Sequence, residues 1–163
     1  MGISFAITAY NEYEELKRLL EQLIQVVKPS DEIVIQLDTK STQEVIELVD
    51  GFLQKNSNKT TIKKTFFDLN KDFASFKNNL KKHCVKDWIF QIDADETLSE
   101  TFSRVIHEVL EINKEIDLVA VPRVNIVNGL TQNDVIQWHW RLNEQGWVNW
   151  PDAQHRIFRN KPE

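Results

Sequence analysis

"ISFAITAYNEYEELKRLLEQL", residues 3–23, carries the architecture in miniature. Ile3–Thr8 is a short apolar run of β type. A polar turn, "AYNE", interrupts it. Leu16, Leu19, Leu20 and Leu23 then recur at helical spacing, and the pattern runs on through Ile24 and Val27 to Pro29 and Ser30, which stop it. The unit is strand, turn, amphipathic helix. The same unit is repeated downstream. "EIVIQL" (32–37) and the turn "DTKST" lead into the helical "QEVIELVDGFLQK" (43–55). "TIKKTFFDL" (61–69) alternates like a strand and precedes "FASFKNNLKKHC" (73–84), with Phe73, Phe76 and Leu80 on one helical face. "DWIFQI" (87–92) is the most apolar strand, followed by the helix "ETFSRVIHEVLEI" (100–112) and a fifth strand within "DLVAVPRVNIV" (117–127).

Strands that alternate with helices in this way predict an α/β fold, a Rossmann-like and mostly parallel sheet flanked by helices. Ligands of such sheets bind outside the carboxyl ends of the strands. "TAYNE", "DTKST" and "DADE" each follow a strand directly, so all three are expected at one edge. Beyond Gly129 the texture changes. "WHWRLNEQGWVNWPDAQHRIFRN" (138–160) holds four of the five Trp residues and reads as short strands and loops. With no repeat or linker, one domain over 1–163 is expected, with a ligand-binding half to about residue 125 and a second segment over about 126–163.

Bulk properties narrow the function. The chain has 163 residues, 41% hydrophobic and 28% charged, as in ordinary globular proteins. A net charge of −5 argues against nucleic acid as a partner. The single Cys84 excludes an internal disulfide and suits a reducing compartment. No signal peptide is recognisable and no apolar run reaches ~18–20 residues, so no transmembrane segment is expected. A cytoplasmic location follows as the expectation, with peripheral membrane association allowed.

"FQIDADETLSE" (90–100) concentrates Asp93, Asp95 and Glu96 at the end of the fourth strand. Clustered carboxylates repel unless a positive group lies among them. Asp-x-Asp offers hard oxygen ligands suited to Mg²⁺ or Mn²⁺, which can face a diphosphate. The bland alternative is that these acids, with Thr97 and Ser99, cap the next helix. "DADETL" also fits the hhhDxDxT motif of the haloacid dehalogenase superfamily, with Asp93 as nucleophile, Asp95 as acid/base and Thr97 as helper. That family also needs a later Lys and a later pair of acids on another strand end, and of the later Asp residues, Asp117, Asp134 and Asp152, none is adjacent to another acid.

A second resemblance covers most of residues 3–160. "ISFAITAYNEYEELKRLLEQL", "EIVIQLDTKST", "DFASFKNNLKKHCVKDWIFQIDADE" and "HRIFRN", in this order and spacing, resemble family-2 glycosyltransferases, in the branch related to lipopolysaccharide core glucosyltransferases. The resemblance implies a glycosyltransferase A fold and metal-dependent, inverting transfer from a nucleoside diphosphate sugar, with UDP-sugar the favoured donor. It implies Thr8, Tyr10, Asn11, Glu12, Asp38, Lys77 and Asp93 in nucleotide-sugar binding, and Asp95 with Asp93 as ligands of Mn²⁺ or Mg²⁺. Lys77 stands where the family usually has Arg; Lys40 and Gln43 replace a small residue and an Asp. The acceptor would be a glycan, a lipid-linked sugar or a protein. Inversion requires a base on the acceptor side. Asp152 is the first candidate and His155 the second; Arg156 and Arg159 could touch the diphosphate. A nucleotide-sugar-binding module without turnover is the non-enzymatic alternative. Alternation places Trp138 and Trp140 on one side of a strand, and core is the expected fate of most late Trp residues, with one or two in an acceptor cleft. An exposed aromatic patch would serve a homodimer.

Overall fold

The computed structural model of the protein describes residues 1–161. The elements run β1 (Ile3–Ala9), α1 (Tyr13–Val26), β2 (Glu32–Asp38), α2 (Gln43–Asn56), β3 (Thr61–Phe67), α3 (Phe73–Lys82), β4 (Trp88–Asp93), α4 (Glu100–Ile112), β5 (Leu118–Asn125), α5 (Gln132–Gln137) and β6 (Val148–Arg159). The chain forms two compact units. One comprises Met1–Asp117 and the chain from Phe158 onward; the other is Leu118–Ile157.

In the first unit the strand order is β3-β2-β1-β4, continued at β4 by the end of β6, which crosses from the other unit. The three pairs β1/β2, β1/β4 and β2/β3 are parallel. β1 and β2 are buried almost throughout. That is the burial expected of parallel strands covered on both faces. The coverage follows from strand alternation. Ala6, Val34 and Ile89 lie on one face, under Leu80 and Cys84 from the α3 segment, with Phe158 against them. Phe5 and Phe90, paired in register, point the other way, and Phe102 of α4 meets Phe90 edge-on at 5.7 Å. So α3 and α4 cover opposite faces. β3 is the edge strand, and its Lys63 and Lys64 are the sort of charge that discourages further pairing.

Helix boundaries obey local chemistry. Ser99 caps α4 by accepting from Phe102 N–H at 3.2 Å, and Asp72 caps α3 by accepting from Ser75 N–H at 3.0 Å. Gly2 has no room for a Cβ, which would meet the Ser30 carbonyl oxygen at 2.3 Å. At this amino-terminal end of the sheet, fully buried Asp31 accepts from Ile3 N–H (2.9 Å), Lys28 N–H (2.7 Å) and His107 Nε2 (2.8 Å). His107, inside α4, is therefore a structural tie. Cys84 is buried, with its Sγ 3.5 Å from the Leu80 carbonyl oxygen. Among the described residues no helix is long and apolar enough to cross a membrane.

In the second unit, β6 neighbours β5. Two expectations fail here. Trp138 and Trp140 do not share a strand: Trp138 is the C-cap of α5, and His139 between them takes a left-handed φ of 53°. None of the four late Trp residues is buried either. A unit this small lacks the interior to enclose four indoles.

Candidate functional site

The chain goes β1, β2, β3 in one direction across the sheet, then returns to place β4 on the other side of β1. Strand order thus reverses between β1 and β4, and a crevice outside their carboxyl ends is where such sheets bind ligands. Thr8 and Asp93 are register partners on these two strands.

Side chains lace the carboxyl-edge turns together. Thr8 Oγ1 donates to Asp93 Oδ1 at 2.9 Å, and Ala94 N–H donates to the Thr8 carbonyl at 3.0 Å. Lys77 Nζ, from α3, reaches the same Asp93 oxygen at 3.1 Å, with the two side chains 32% and 34% exposed. The first turn joins the second through Asn11 Oδ1, which accepts from Thr42 N–H at 2.9 Å. The second joins the third through Asp38, 4% exposed: Oδ1 accepts from Lys40 N–H (2.7 Å) and Oδ2 from Leu69 N–H (2.8 Å). Lys40 Nζ adds an ion pair with Asp68 at 2.9 Å. Glu12 Oε2 accepts from Tyr10 N–H at 2.7 Å, and the Tyr10 ring is 44% exposed. Thr8, Tyr10, Asn11, Glu12, Asp38, Lys77 and Asp93 therefore sit on one connected edge.

The acidic turn divides its labour. Glu96 Oε2 accepts from Asp93 N–H at 3.1 Å, and Glu96 N–H donates to the Asp93 carbonyl at 3.0 Å, so Glu96 closes the turn. Capping of α4 falls to Ser99, six residues after Asp93, and not to either Asp. Asp95 is exposed and makes no hydrogen bond or ion pair with any described residue. Its carboxylate is the uncommitted one. Among the described residues no cluster of three or more His, Cys, Asp or Glu side chains could enclose a metal. The donor set matches the way Mg²⁺ and Mn²⁺ are commonly held, by one or two carboxylates and the phosphates of a substrate.

Two supporting residues carried no motif. Gln22 of α1 donates to the Leu98 carbonyl at 2.5 Å and accepts from Leu98 N–H at 2.9 Å, clamping the exit of the acidic turn. Gln36 of β2 donates to the Phe76 carbonyl at 2.6 Å and accepts from Asn79 Nδ2 at 2.8 Å. It ties down the helix that carries Lys77. A buried Gln in the apolar run "EIVIQL" was the available signal, since buried polar groups demand partners.

In the second unit, Asp152 is held by Arg123 Nη2 (2.7 Å), Asn125 Nδ2 (3.0 Å) and Gln154 Nε2 (2.6 Å). The Asn125 and Arg123 contacts keep its carboxyl below the usual carboxylate range. His155 is exposed on β6 and Arg156 is buried. Arg159 does not reach the carboxyl edge. Its guanidinium lies 4.1 Å over the ring of Trp88, at the opposite end of β4, and donates to the Ile116 and Lys114 carbonyls.

A sequence model of glycosyl transferase family 2 matches residues 4–159. No curated protein matches the chain in sequence. Among solved structures, S. aureus TarS 1-349 superposes with a TM-score of 0.62 at 18% identity, covering 98% of this chain and 47% of that one. The same TarS fragment in complex with UDP-GlcNAc gives 0.64 at 18% identity, covering 98% and 46%. A mannosyltransferase from Pyrobaculum calidifontis, in complex with GDP-Man and Mn²⁺, gives 0.56 at 17% identity, covering 74% and 35%. At these identities the likeness is one of fold, the glycosyltransferase A type, and the chain spans about half the length of the TarS fragment it matches.

Proposed function

We propose that this chain, which belongs to glycosyl transferase family 2, moves a sugar from a nucleoside diphosphate donor to an acceptor hydroxyl. UDP-sugar is the favoured donor, and the transfer inverts the anomeric centre. One observation carries the reading: the turns after β1, β2, β3 and β4 are bonded into a single edge at the β1/β4 reversal, and that edge leaves Asp95 open. The UDP-GlcNAc and GDP-Man complexes of the fold relatives support it.

Asp95, with Asp93, would hold Mn²⁺ or Mg²⁺, which supplies charge neutralisation for a departing diphosphate. Tyr10, Asn11, Glu12 and Asp38 line the nucleotide side, with the exposed Tyr10 ring offered to the base. Lys77 places a cation beside Asp93 and can turn to a phosphoryl oxygen. In the reaction the acceptor oxygen forms a bond to the anomeric carbon, the bond from that carbon to the diphosphate oxygen breaks, and the acceptor proton goes to a base. Asp152 is the proposed base. Its carboxyl, held below the usual carboxylate range by Asn125 and Arg123, is ionised throughout the neutral range.

The second reading is a nucleotide-sugar-binding module without turnover. The three donors on Asp152 favour it, because a carboxylate so satisfied is a weak base. The phosphatase alternative gives way to the family match over residues 4–159.

A thermal-shift panel of UDP-glucose, UDP-GlcNAc and GDP-mannose, with and without Mn²⁺, tests the reading, because a ligand that binds only the folded state raises Tm. At least one donor with Mn²⁺ should raise Tm. Asp95→Asn should leave the unliganded Tm unchanged, abolish the metal-dependent part of the shift, and lower any turnover about a hundredfold. A panel in which no nucleotide sugar moves Tm would sink the reading; donor binding with no transfer or hydrolysis would select the binding module.

A further inference from the structure

We infer that the second unit carries a carbohydrate-stacking platform made by Trp138 and Trp140, on which a sugar ring of the acceptor is seated. The inference names the acceptor class for the transfer proposed above, and rests on that reading to that extent.

The two rings stack with centroids 6.1 Å apart and planes inclined by 25°. Trp138 is 61% exposed. Trp140 is half-buried, so the pair meets solvent chiefly through the Trp138 indole, a flat, polarisable ring with a negative quadrupole. The C–H-rich face of a pyranose, whose axial hydrogens carry partial positive charge, is complementary to it.

The pair is built by its backbone. A capping box starts α5: Thr131 Oγ1 accepts from Asp134 N–H, while Asp134 accepts from Thr131 N–H. Trp138 N–H then donates to the Asp134 carbonyl at 2.9 Å and Trp140 N–H to the Val135 carbonyl at 3.0 Å. Between them His139 takes a left-handed φ of 53°, a conformation strained for a residue with a Cβ. The segment after Trp140 is fixed as well. Arg141 N–H donates to Asn149 Oδ1 at 3.0 Å, and Asn149 N–H donates to the Arg141 carbonyl at 2.7 Å. Such strain persists where surrounding bonds over-determine it, and here it holds the Trp138 indole stacked on that of Trp140. His139 between the two Trp residues and Arg141 after them, both exposed, offer N–H donors to hydroxyl groups.

Charge argues against a lipid surface as the occupant. The stretch 129–150 contains Asp134, Glu144 and one Arg, Arg141. Interfacial segments that bind anionic membranes are rich in Lys and Arg.

The test uses the full chain and a panel of methyl pyranosides of glucose, galactose, mannose and N-acetylglucosamine, read by saturation-transfer NMR. At least one pyranoside should receive saturation on its C–H face. Trp138→Ala should weaken that binding about fivefold or more, and Trp138→Phe should retain part of it. Ile136→Ala, an equally exposed apolar neighbour on α5, should leave it unchanged. The UDP-sugar and Mn²⁺ thermal shift should survive Trp138→Ala. Failure of every pyranoside to bind overturns the inference. So does equal loss in Ile136→Ala, a wild-type dimer that Trp138→Ala converts to monomer in sedimentation, or a fluorescence blue shift with anionic vesicles alone. Pyranoside binding without any donor shift would leave the platform standing as a carbohydrate site and would remove the transferase reading instead.

Discussion

Lys77 and Asp93 form a pair on which both stability and the proposed donor binding would depend. They meet at 3.1 Å with about a third of each side chain in solvent. Exposed pairs of this kind contribute about 0–1 kcal/mol, so Lys77→Met should change the free energy of unfolding by less than about 1 kcal/mol. Its effect on donor affinity should be larger, about tenfold in calorimetric titration with a UDP-sugar and Mn²⁺, because the proposed site would lose a charge-assisted contact to phosphate. Lys77→Arg should keep or strengthen binding, since a guanidinium forks onto two oxygens. Equal affinities for wild type and Lys77→Met would remove Lys77 from the donor site. At this scale the sequence was legible for residue types and less so for commitments. Nothing in "DADE" announces that Glu96 closes the turn while Asp95 stays open, because that depends on which amide each carboxylate happens to face.

Elements were more legible. The helix over 100–112 and the strand starts at Ile3, Glu32 and Thr61 coincide with periodicity in the chain. β1 and β2 are buried on both faces, which makes their pattern strict, while β3 keeps its alternation at the sheet edge. β6 was not foreseen as a single strand of 12 residues, because polar residues and Pro151 break its alternation. Ties between elements were also hidden, and the Asp31–His107 contact shows why. Neither residue belongs to a motif, and they lie 76 positions apart. Burial alone would raise the Asp31 carboxyl, but bonds from His107, Lys28 N–H and Ile3 N–H outweigh it and hold the group below its ordinary 3.8. The sign follows. An acid depressed in the folded state stabilises fully above its unfolded value, and the stabilisation is lost as pH falls through the folded value. Asp31→Ala should therefore cost about 3 kcal/mol near neutral pH, by leaving buried donors unpaired. It should also flatten the acid limb of stability below pH 3.8. Urea melts from pH 2 to 7 would check both; a variant with the wild-type acid limb would show that Asp31 contributes nothing to it.

For the whole molecule, the parallel sheet was readable because βαβ repetition has few topological solutions. The second unit was not, because short, Trp-rich segments without periodicity specify themselves through contacts distant in sequence. Cys84 reports on the first. It is the only sulfhydryl in the chain, and burial, with the Glu32 carboxylate adding, pushes it up to about 12. Hardly any thiolate exists in the folded state, and the sulfur is buried. Labelling by an aromatic disulfide should consequently run at least about a thousandfold slower in the native chain than in urea, and a bound UDP-sugar with Mn²⁺ should slow it further in step with the Tm shift. Fast labelling that ignores the donor would expose a local fluctuation around α3 instead. Either way, one sulfur atom makes the chain its own stopwatch for how often its interior meets solvent.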